Sequence, residues 1–176
     1  MKLYLHLAIA AVILSSCASS EIPPELQSNP SQLRVVTVDE TKVATGQTIY
    51  VPIYSHMYYR DQQRILNLAA TLSIRNTDLA QPMIITSVRY YNTAGKLVKE
   101  HLPRPVQLGA LASTDVVIGL RDTSGGSGAN FIVEWVAEKE ISEPVVEAVM
   151  ISTESSQGIS FISPGKVIKS RNNPQR

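Results

Sequence analysis

The sequence predicts an all-β protein built as an antiparallel sandwich of two sheets. Between residues 66 and 78 the apolar side chains fall on every second position, at Leu66, Leu68, Ala70, Leu72 and Ile74. This period is typical of a strand that buries one face, so we expect the segment to be the central strand of a sheet. No segment shows a helical period over a useful length.

Further short strands are predicted along the rest of the chain. They cover residues 33–38, 48–59, 83–91, 96–102, 115–120, 131–137, 145–153, 159–163 and 166–169, while residues 106–112 are apolar but irregular. Turn residues separate the strands at regular spacing, which favours a single-domain antiparallel sandwich of the immunoglobulin-like kind. A β-barrel is the alternative that this pattern leaves open.

Three residues predict details of the sandwich. Pro52 has no N–H to donate to a ladder, so the strand at 48–59 is expected to be an edge strand or to bulge there. Gly95 can take the positive φ that a tight loop needs, which predicts a hairpin turning at 92–95. Trp135 is the only tryptophan, and its strand position predicts that it lies in the core.

The first sixteen residues have the form of an export signal. Lys2 precedes an apolar run of twelve residues, LYLHLAIAAVIL, which is too short to span a bilayer but suits a signal-peptide core. The run ends at Leu14-Ser15-Ser16-Cys17, which resembles the lipobox of bacterial lipoproteins, whose cysteine is acylated with fatty chains such as palmitate. Cys17 is the only cysteine, so the rest of the chain has no thiol or disulfide chemistry. A soluble exported protein with a free thiol is the alternative.

These features divide the chain into four parts. Residues 1–16 are the predicted signal peptide, 17–32 a lipid-anchored flexible tether, 33–169 the sandwich domain and 170–176 a frayed tail. Within the lipoprotein class, Ala18 stands in place of the Asp that marks inner-membrane retention, which favours the outer membrane. The resemblance therefore implies a protein held on the periplasmic side of the cell envelope by lipid on Cys17.

The charge balance argues against nucleic acid as a partner. The chain has 16 Lys+Arg and 15 Asp+Glu, and loss of Lys2 with the signal peptide would leave 15 of each sign. A neutral surface has no general attraction to phosphate backbones. The expected partners are the membrane, through the lipid, and an envelope protein or glycan.

Several blocks of sequence, in one order, carry a family resemblance. They are YVPIYSHMYY, LAATLSIRNTD, SVRYYNTAGKLV, GGSGANFIVEW and EAVMISTESSQGISF. Together they resemble an uncharacterised bacterial family, a domain of unknown function found on exported lipoproteins, over about residues 43–168. The resemblance implies one domain and no particular activity.

Catalytic chemistry finds little support in the sequence. Around Ser127, the segment GGSGA falls one residue short of the G-x-S-x-G nucleophile elbow and leads into a predicted strand, whereas the elbow leads into a helix. Ser55 and His56 are neighbours on a predicted strand and point to opposite faces, so they do not pair as nucleophile and base. A hydrolase is therefore the weakest alternative, and no catalytic residue is predicted.

A metal-binding protein that uses His56 is the stronger alternative. No His or Met pair has ligand spacing, and Met83 and Met150 lie within apolar strands, where core packing explains them. The aspartates at 78, 115 and 122 stand alone in their loops, and turn capping explains them better than calcium binding. We therefore predict no cofactor and no metal ligand, and we expect a non-enzymatic binding or structural domain.

The candidate binding surface is one end of the sandwich. If successive strands reverse direction, residues 58–63, 92–95, 121–130 and 154–158 meet at one end, and 77–81, 103–105 and 138–144 meet at the other. The first end mixes aromatic residues and arginine with flexible glycines, which suits a binding surface, although an ordinary loop end is the alternative. The predicted partner-binding residues are His56, Tyr58, Tyr59, Arg60, Arg121, Asp122 and Asn130.

Overall fold

The computed structural model of the chain describes residues 33–153 and 158–172. The predicted signal peptide, Cys17 and the tether lie outside the described residues, as do positions 154–157 and 173–176. The regular structure consists of β-strands. No helix among the described residues is long and apolar enough to cross a membrane.

The described residues form thirteen strands, which follow one another in sequence. They are β1 (Arg34–Val35), β2 (Thr45–Pro52), β3 (His56–Tyr59), β4 (Arg64–Asn67), β5 (Ala69–Arg75), β6 (Met83–Tyr91), β7 (Leu97–Glu100), β8 (Val106–Leu108), β9 (Ser113–Ile118), β10 (Asn130–Ala137), β11 (Val145–Ser152), β12 (Ile159–Pro164) and β13 (Lys166–Asn172). The segment 66–78, expected as one strand, is divided between β4 and β5. Leu68 lies between the two strands, and its N–H donates to the carbonyl oxygen of Ser55, opposite it at the base of the β3–β4 hairpin, at 3.0 Å.

Two antiparallel sheets share one core. The larger sheet has the order β1-β8-β6-β10-β2-β13, with β7 also paired to β6, and the smaller has the order β12-β11-β5-β9. Among the described strands, β3 and β4 pair only with each other. The predicted all-β antiparallel sandwich is therefore confirmed. No sheet formed by residues 33–153 and 158–172 closes into a barrel, so that alternative is wrong.

The core is filled by the inward side chains of both sheets. Leu72 on β5 is 0% exposed and Trp135 on β10 is 2% exposed. Thr71, whose side chain lies on the opposite face of β5 from Leu72, is partly exposed. The largest fully buried side chains are Trp135, Tyr90, Phe131, Ile53, Leu68, Leu72, Ile74, Met83, Ile85, Leu108, Met150 and Val51. The predicted burial of Leu72 and Trp135 is thus confirmed, and β5 lies inside the smaller sheet.

Pro52 marks neither an edge strand nor a bulge, contrary to the prediction. Strand β2 lies inside the larger sheet, between β10 and β13. The N–H of Ile53 donates to the carbonyl oxygen of Ala129 at 2.9 Å, so the alternation of the ladder turns the nitrogen of Pro52 away from β10. Strand β13 begins opposite Tyr50. Pro52 is tolerated because β13 does not reach far enough to require its N–H.

The hairpin predicted at 92–95 is confirmed. Gly95 has a φ of 73°, and its N–H donates to the carbonyl oxygen of Asn92 at 2.8 Å. Strand β7 pairs with one end of β6 and β8 pairs with the other. Residues 103–105 therefore lie along the sheet, between β7 and β8. Their predicted place at a loop end is wrong, because the chain continues in the same direction after the prolines.

Gly165 is the corner at which the chain passes from the smaller sheet to the larger one. Strand β12 pairs with β11 as far as Pro164, and β13 begins beside β2 at Lys166. The N–H of Gly165 donates to the carbonyl oxygen of Val146 at 2.8 Å, and a Cβ at this position would lie 2.6 Å from the same oxygen. A bend between packed sheets of this kind needs a residue without a side chain.

The last strand runs to Asn172 rather than ending at residue 169. Arg171 and Asn172 pair with Gly46 and Thr45 on β2. The side chain of Arg171 also donates from Nη1 to Oε2 of Glu40 at 2.6 Å. Residues 170–172, predicted as part of a frayed tail, are therefore held in the larger sheet by strand pairing.

Candidate functional site

Two of the segments predicted at one end of the sandwich, 92–95 and 121–130, do meet there, and Ser55 joins them. The N–H of Ser55 donates to the carbonyl oxygen of Gly126 at 3.1 Å, and the N–H of Gly126 donates back to Oγ of Ser55 at 2.8 Å. The N–H and the hydroxyl of Thr93, in the β6–β7 turn, both donate to the carbonyl oxygen of Gly125, at 2.8 and 3.0 Å. We call residues 122–129 the glycine loop and this assembly the loop end.

The glycine loop is closed over a buried tyrosine. Tyr90 is 1% exposed, and a Cβ on Gly125 would overlap its hydroxyl oxygen. Burial, and secondly the nearby carboxylate of Asp122, raise the pKa of Tyr90. Gly125 itself is buried. Only glycine fits where the loop passes over the Tyr90 hydroxyl.

The opposite end is held together by capping groups. The carboxylate of Asp78 accepts hydrogen bonds from three backbone N–H groups, those of Ala80, Gln81 and Ser142, at 2.9, 2.8 and 3.0 Å. These donors hold the pKa of Asp78 below its usual range. The hydroxyl of Thr77 donates to the carbonyl oxygen of Glu143 at 2.7 Å. Segments 77–81 and 138–144 therefore meet, and Asp78 caps their turn.

A hairpin of β3 and β4 begins at the loop end, between Ser55 and Leu68. Tyr58 lies directly opposite Ile65, and the two side chains are 53% and 54% exposed. Directly opposite residues share one face of a ribbon. His56 lies on that face as well, and its ring meets the ring of Tyr58 edge to face, with centroids 5.2 Å apart. We call His56, Tyr58 and Ile65 the hairpin face.

The other side of the hairpin is anchored at its base and exposed at its tip. Met57 packs against the core, which fixes the base of β3. Tyr59 is 43% exposed, and the guanidinium of Arg60 lies 6.0 Å from the centroid of its ring. This distance is at the outer limit of a cation–π contact. Tyr58, Tyr59 and Arg60 therefore surround a tip that no other strand covers in the described part of the chain.

The turn of the hairpin has an unusual backbone. Arg60, Asp61 and Gln62 have φ values of 51°, 55° and 66°, and the N–H of Gln63 donates to the carbonyl oxygen of Arg60 at 3.1 Å. A residue other than glycine in the left-handed region costs on the order of 1 to 3 kcal/mol. Strain of this kind clusters at functional sites, so its position beside Tyr58 and Tyr59 supports a role for the tip.

His56 has unused hydrogen-bonding capacity. Both of its ring nitrogens are shielded from solvent, and neither has a hydrogen-bond partner among residues 33–153 and 158–172. A buried polar atom without a partner is costly and needs an explanation. Within those same ranges, no group of three or more His, Cys, Asp or Glu side chains is placed to hold a metal ion. Met83 and Met150 are both fully buried in the core.

The seven predicted partner-binding residues fall into two groups. His56, Tyr58, Tyr59 and Arg60 belong to the hairpin, and Arg121, Asp122 and Asn130 belong to the loop end. Arg121 and Asp122 are exposed. Asn130 begins β10 and pairs with Pro52 on one side and Tyr91 on the other. No hydrogen bond, ion pair or ring contact between described residues joins the hairpin tip to Arg121 or Asp122.

Ile65 is the site residue that the sequence did not indicate. The strand pattern places residues 60–65 in a connection, whereas Arg64 and Ile65 belong to β4. The position of Ile65 opposite Tyr58 depends on the turn at Arg60–Gln62. This turn has a left-handed backbone, but its sequence contains no Gly or Asn that would indicate it. The only available signal was the apolar residue itself, next to a turn.

Ser127 does not lie in the setting that a hydrolase needs. The glycine loop leads directly into strand β10, and a nucleophile elbow joins a strand to a helix. Ser55, the other serine weighed for catalysis, is 0% exposed, and its hydroxyl group bonds to Gly126. Ser55 therefore has a structural role, which is to hold the glycine loop.

Fold and site together define a β-sandwich domain that carries an exposed aromatic hairpin beside a closed glycine loop. The chain belongs to the DUF3124 family, described as a protein of unknown function, whose model matches residues 46–168. A comparison with curated proteins finds no significant match. Among solved structures, the "Crystal Structure of Thermotoga maritima 1070" aligns with a TM-score of 0.44 at 13% identity, covering 68% of this chain and 92% of that chain.

Proposed function

We propose that the protein is a non-enzymatic binding domain of the bacterial cell envelope, anchored to the membrane by lipid on Cys17, preferentially in the outer membrane. Its partner binds the hairpin face and tip. The observation that carries this proposal is the pair Tyr58 and Ile65, two large apolar side chains that lie directly opposite each other and are both about half exposed. Exposed apolar groups held in register gain free energy when a partner covers them.

The chemistry of the hairpin favours a protein partner. Tyr and Arg are enriched among the residues that dominate protein interfaces, and the tip supplies Tyr58, Tyr59 and Arg60. Ile65 offers a glycan no hydrogen-bonding group, although sugar hydroxyls need such groups. An envelope protein is therefore the expected partner. The binding experiment must also show whether the partner is instead an envelope glycan.

Anchoring is tested by labelling the chain in cells with a fatty-acid analogue. The wild type should incorporate the label, and the Cys17→Ala variant should not, because Cys17 is the only thiol in the chain. Label on both proteins, or on neither, would rule out the lipid anchor.

Binding is tested with paired substitutions at the two ends of the sandwich. Tyr58→Ala with Ile65→Ala removes the hairpin face, and Leu79→Ala with Lys139→Ala alters exposed residues at the opposite end, where Leu79 is 81% exposed. Asp78 is avoided as a control because it caps three backbone N–H groups. Each full-length variant is used to recover partners from detergent-solubilised envelope, after its melting temperature is shown to be unchanged.

Loss of recovery with the hairpin pair alone supports the proposal, and loss with the opposite pair alone overturns it. Purified peptidoglycan sacculi, sedimented with the same proteins, form the second arm. If the wild type sediments with sacculi and the hairpin pair does not, the partner is a glycan rather than a protein.

A metal-binding role through His56 is the second candidate. Its support is the pair of shielded, unpartnered ring nitrogens. Elemental analysis of the purified full chain tests it directly. A stoichiometric transition metal in the wild type that disappears in His56→Ala would put metal binding ahead of partner binding, and equal metal content in the two proteins would remove this candidate.

A further inference from the structure

Strand β12 is an open edge of the smaller sheet. Its sequence, ISFISP, contains no charged residue, and it pairs with β11 on one side only among the described strands. Ile162 is 61% exposed and Ile159 is 36% exposed. An uncharged strand edge of this kind, with exposed apolar side chains, pairs readily with another strand.

The backbone groups that face outward from β12 follow from its ladder. The N–H of Gly165 donates to the carbonyl oxygen of Val146, which fixes the alternation of hydrogen-bonded pairs along β11 and β12. The N–H and C=O groups of Phe161 then face β11, and those of Ser160 and Ile162 face away from the sheet. Pro164 also faces away, but it has no N–H, so pairing on this edge is confined to the residues before it.

The other edges of the two sheets are protected by charge. Charged side chains, together with short length, are the usual means by which proteins prevent unwanted edge pairing. They occur as Arg34 on β1, Lys99 and Glu100 on β7, Asp115 on β9, and Lys166, Lys169 and Arg171 on β13. Among the described edge strands of the sandwich, β12 alone lacks this protection.

We infer that β12 pairs antiparallel with β12 of a second copy, about a two-fold axis at Phe161, and joins two four-stranded sheets into one. In this register Ser160 of each copy lies opposite Ile162 of the other, and each such pair exchanges two backbone hydrogen bonds. Phe161 lies opposite itself, and aromatic pairs across strands are favourable. The edge is thus complementary to itself, and it presents no charge that a different partner would have to match.

The outer face of the smaller sheet extends the same surface. Ile162 lies beside Val149 on β11, and Ile151, which is 48% exposed, lies beside Ser160. Pairing of two β12 strands brings the two apolar rows together across the axis. This inference concerns a different strand from the hairpin face, so it stands or falls independently of the proposed function.

Engineered thiols test the register. In the full chain with Cys17→Ala, the new cysteine is the only one. Phe161→Cys places two Cα atoms about 4.5 Å apart across the axis, within disulfide range, whereas the two cysteines of Ser160→Cys are diagonal to each other and lie beyond about 7 Å. We expect a disulfide-linked dimer from Phe161→Cys and none from Ser160→Cys. Equal cross-linking, or none from Phe161→Cys while it stays folded, overturns the register.

Sedimentation velocity supplies a test that does not depend on replacing Phe161. The full chain should sediment as a dimer, Ile162→Lys as a monomer, and Val117→Lys as a dimer. Val117 is the matched control, since it is a β-branched residue on the opposite edge strand, 59% exposed against 61% for Ile162. A monomeric wild type at its highest soluble concentration, or a dimer that survives Ile162→Lys, overturns the inference.

Discussion

Ser55 and Gly126 lie 71 residues apart in the sequence and exchange hydrogen bonds in both directions. Ser55 is the last residue before the hairpin, and Gly126 is in the middle of the glycine loop. This single contact therefore connects the two groups of residues that form the candidate site. It also explains how a long glycine-containing connection keeps a defined position over Tyr90.

Replacement of Ser55 by Ala should loosen the glycine loop. The side chain is 0% exposed, and its removal leaves the N–H of Gly126 with only the longer bond to the carbonyl oxygen of Thr123, at 3.2 Å, at a cost of about 0.5 to 1.5 kcal/mol in the free energy of unfolding. Hydrogen exchange at the Gly126 amide should accelerate as well. Ser127→Ala, one residue along the same loop, is the control and should change neither. Unchanged exchange at Gly126 in Ser55→Ala would show that the contact does not hold the loop.

The stability lost on substitution in a strand should depend on whether the side chain points into the core or away from it. Leu72→Ala or Trp135→Ala should each cost about 2 to 5 kcal/mol, because both side chains are buried between the sheets. Thr71→Ala should cost much less, because Thr71 lies on the outer face. Urea unfolding of the three variants checks this order. A cost for Thr71→Ala equal to that for Leu72→Ala would contradict the burial pattern of β5.

The sheet-to-sheet corner should depend on glycine. In Gly165→Ala the new Cβ would lie 2.6 Å from the carbonyl oxygen of Val146 and 2.7 Å from a methyl group of Ile49. Because the first of these is backbone, the strand must shift, and we expect a loss of about 1 to 3 kcal/mol. Gly119→Ala is the control, since nothing lies within 4 Å of a Cβ there. Equal stability of the two variants in thermal unfolding would contradict this account of the corner.

The capping role of Asp78 predicts a dependence of stability on pH. Three backbone N–H groups lower the pKa of its carboxyl group in the folded state. The stabilisation is therefore complete above the unfolded-state pKa of about 3.9 and is lost as the pH falls through the lower folded-state value. Asp78→Asn should be less stable than the wild type at pH 7, and the difference should shrink below about pH 4. A constant difference in unfolding free energy down to pH 3 would contradict this role.

Local pattern predicted much of the fold. The alternation along β6 predicted that strand at its full length, and the Asn92 to Gly95 turn followed from glycine chemistry. The interior position of β2 was not predictable from Pro52, since it depends on where β13 stops. Residues 103–105 were misplaced for a similar reason. Two prolines close together in the sequence suggest that the chain reverses direction. In the fold they only separate β7 from β8, which run in the same direction and both pair with β6.

The residue types in the sequence predicted part of the candidate site, but not how its residues are arranged in space. Aromatic residues and Arg60 marked the hairpin, and glycines marked the loop. The separation of Arg121 and Asp122 from the hairpin tip arises because residues 56–67 form their own two-stranded ribbon. That ribbon forms through a turn of three left-handed residues, Arg60, Asp61 and Gln62, of which only Asp61 is of a type that readily adopts this backbone. Only tertiary structure supplies this information.

Photocross-linking in intact cells tests whether the hairpin binds a partner in the envelope. A benzophenone amino acid replaces Tyr58 in one full-length protein and Leu79 in another, two exposed positions at opposite ends of the sandwich. We expect a discrete protein adduct from position 58 and none from position 79. An adduct from position 79 alone, or none from either position, would contradict the account.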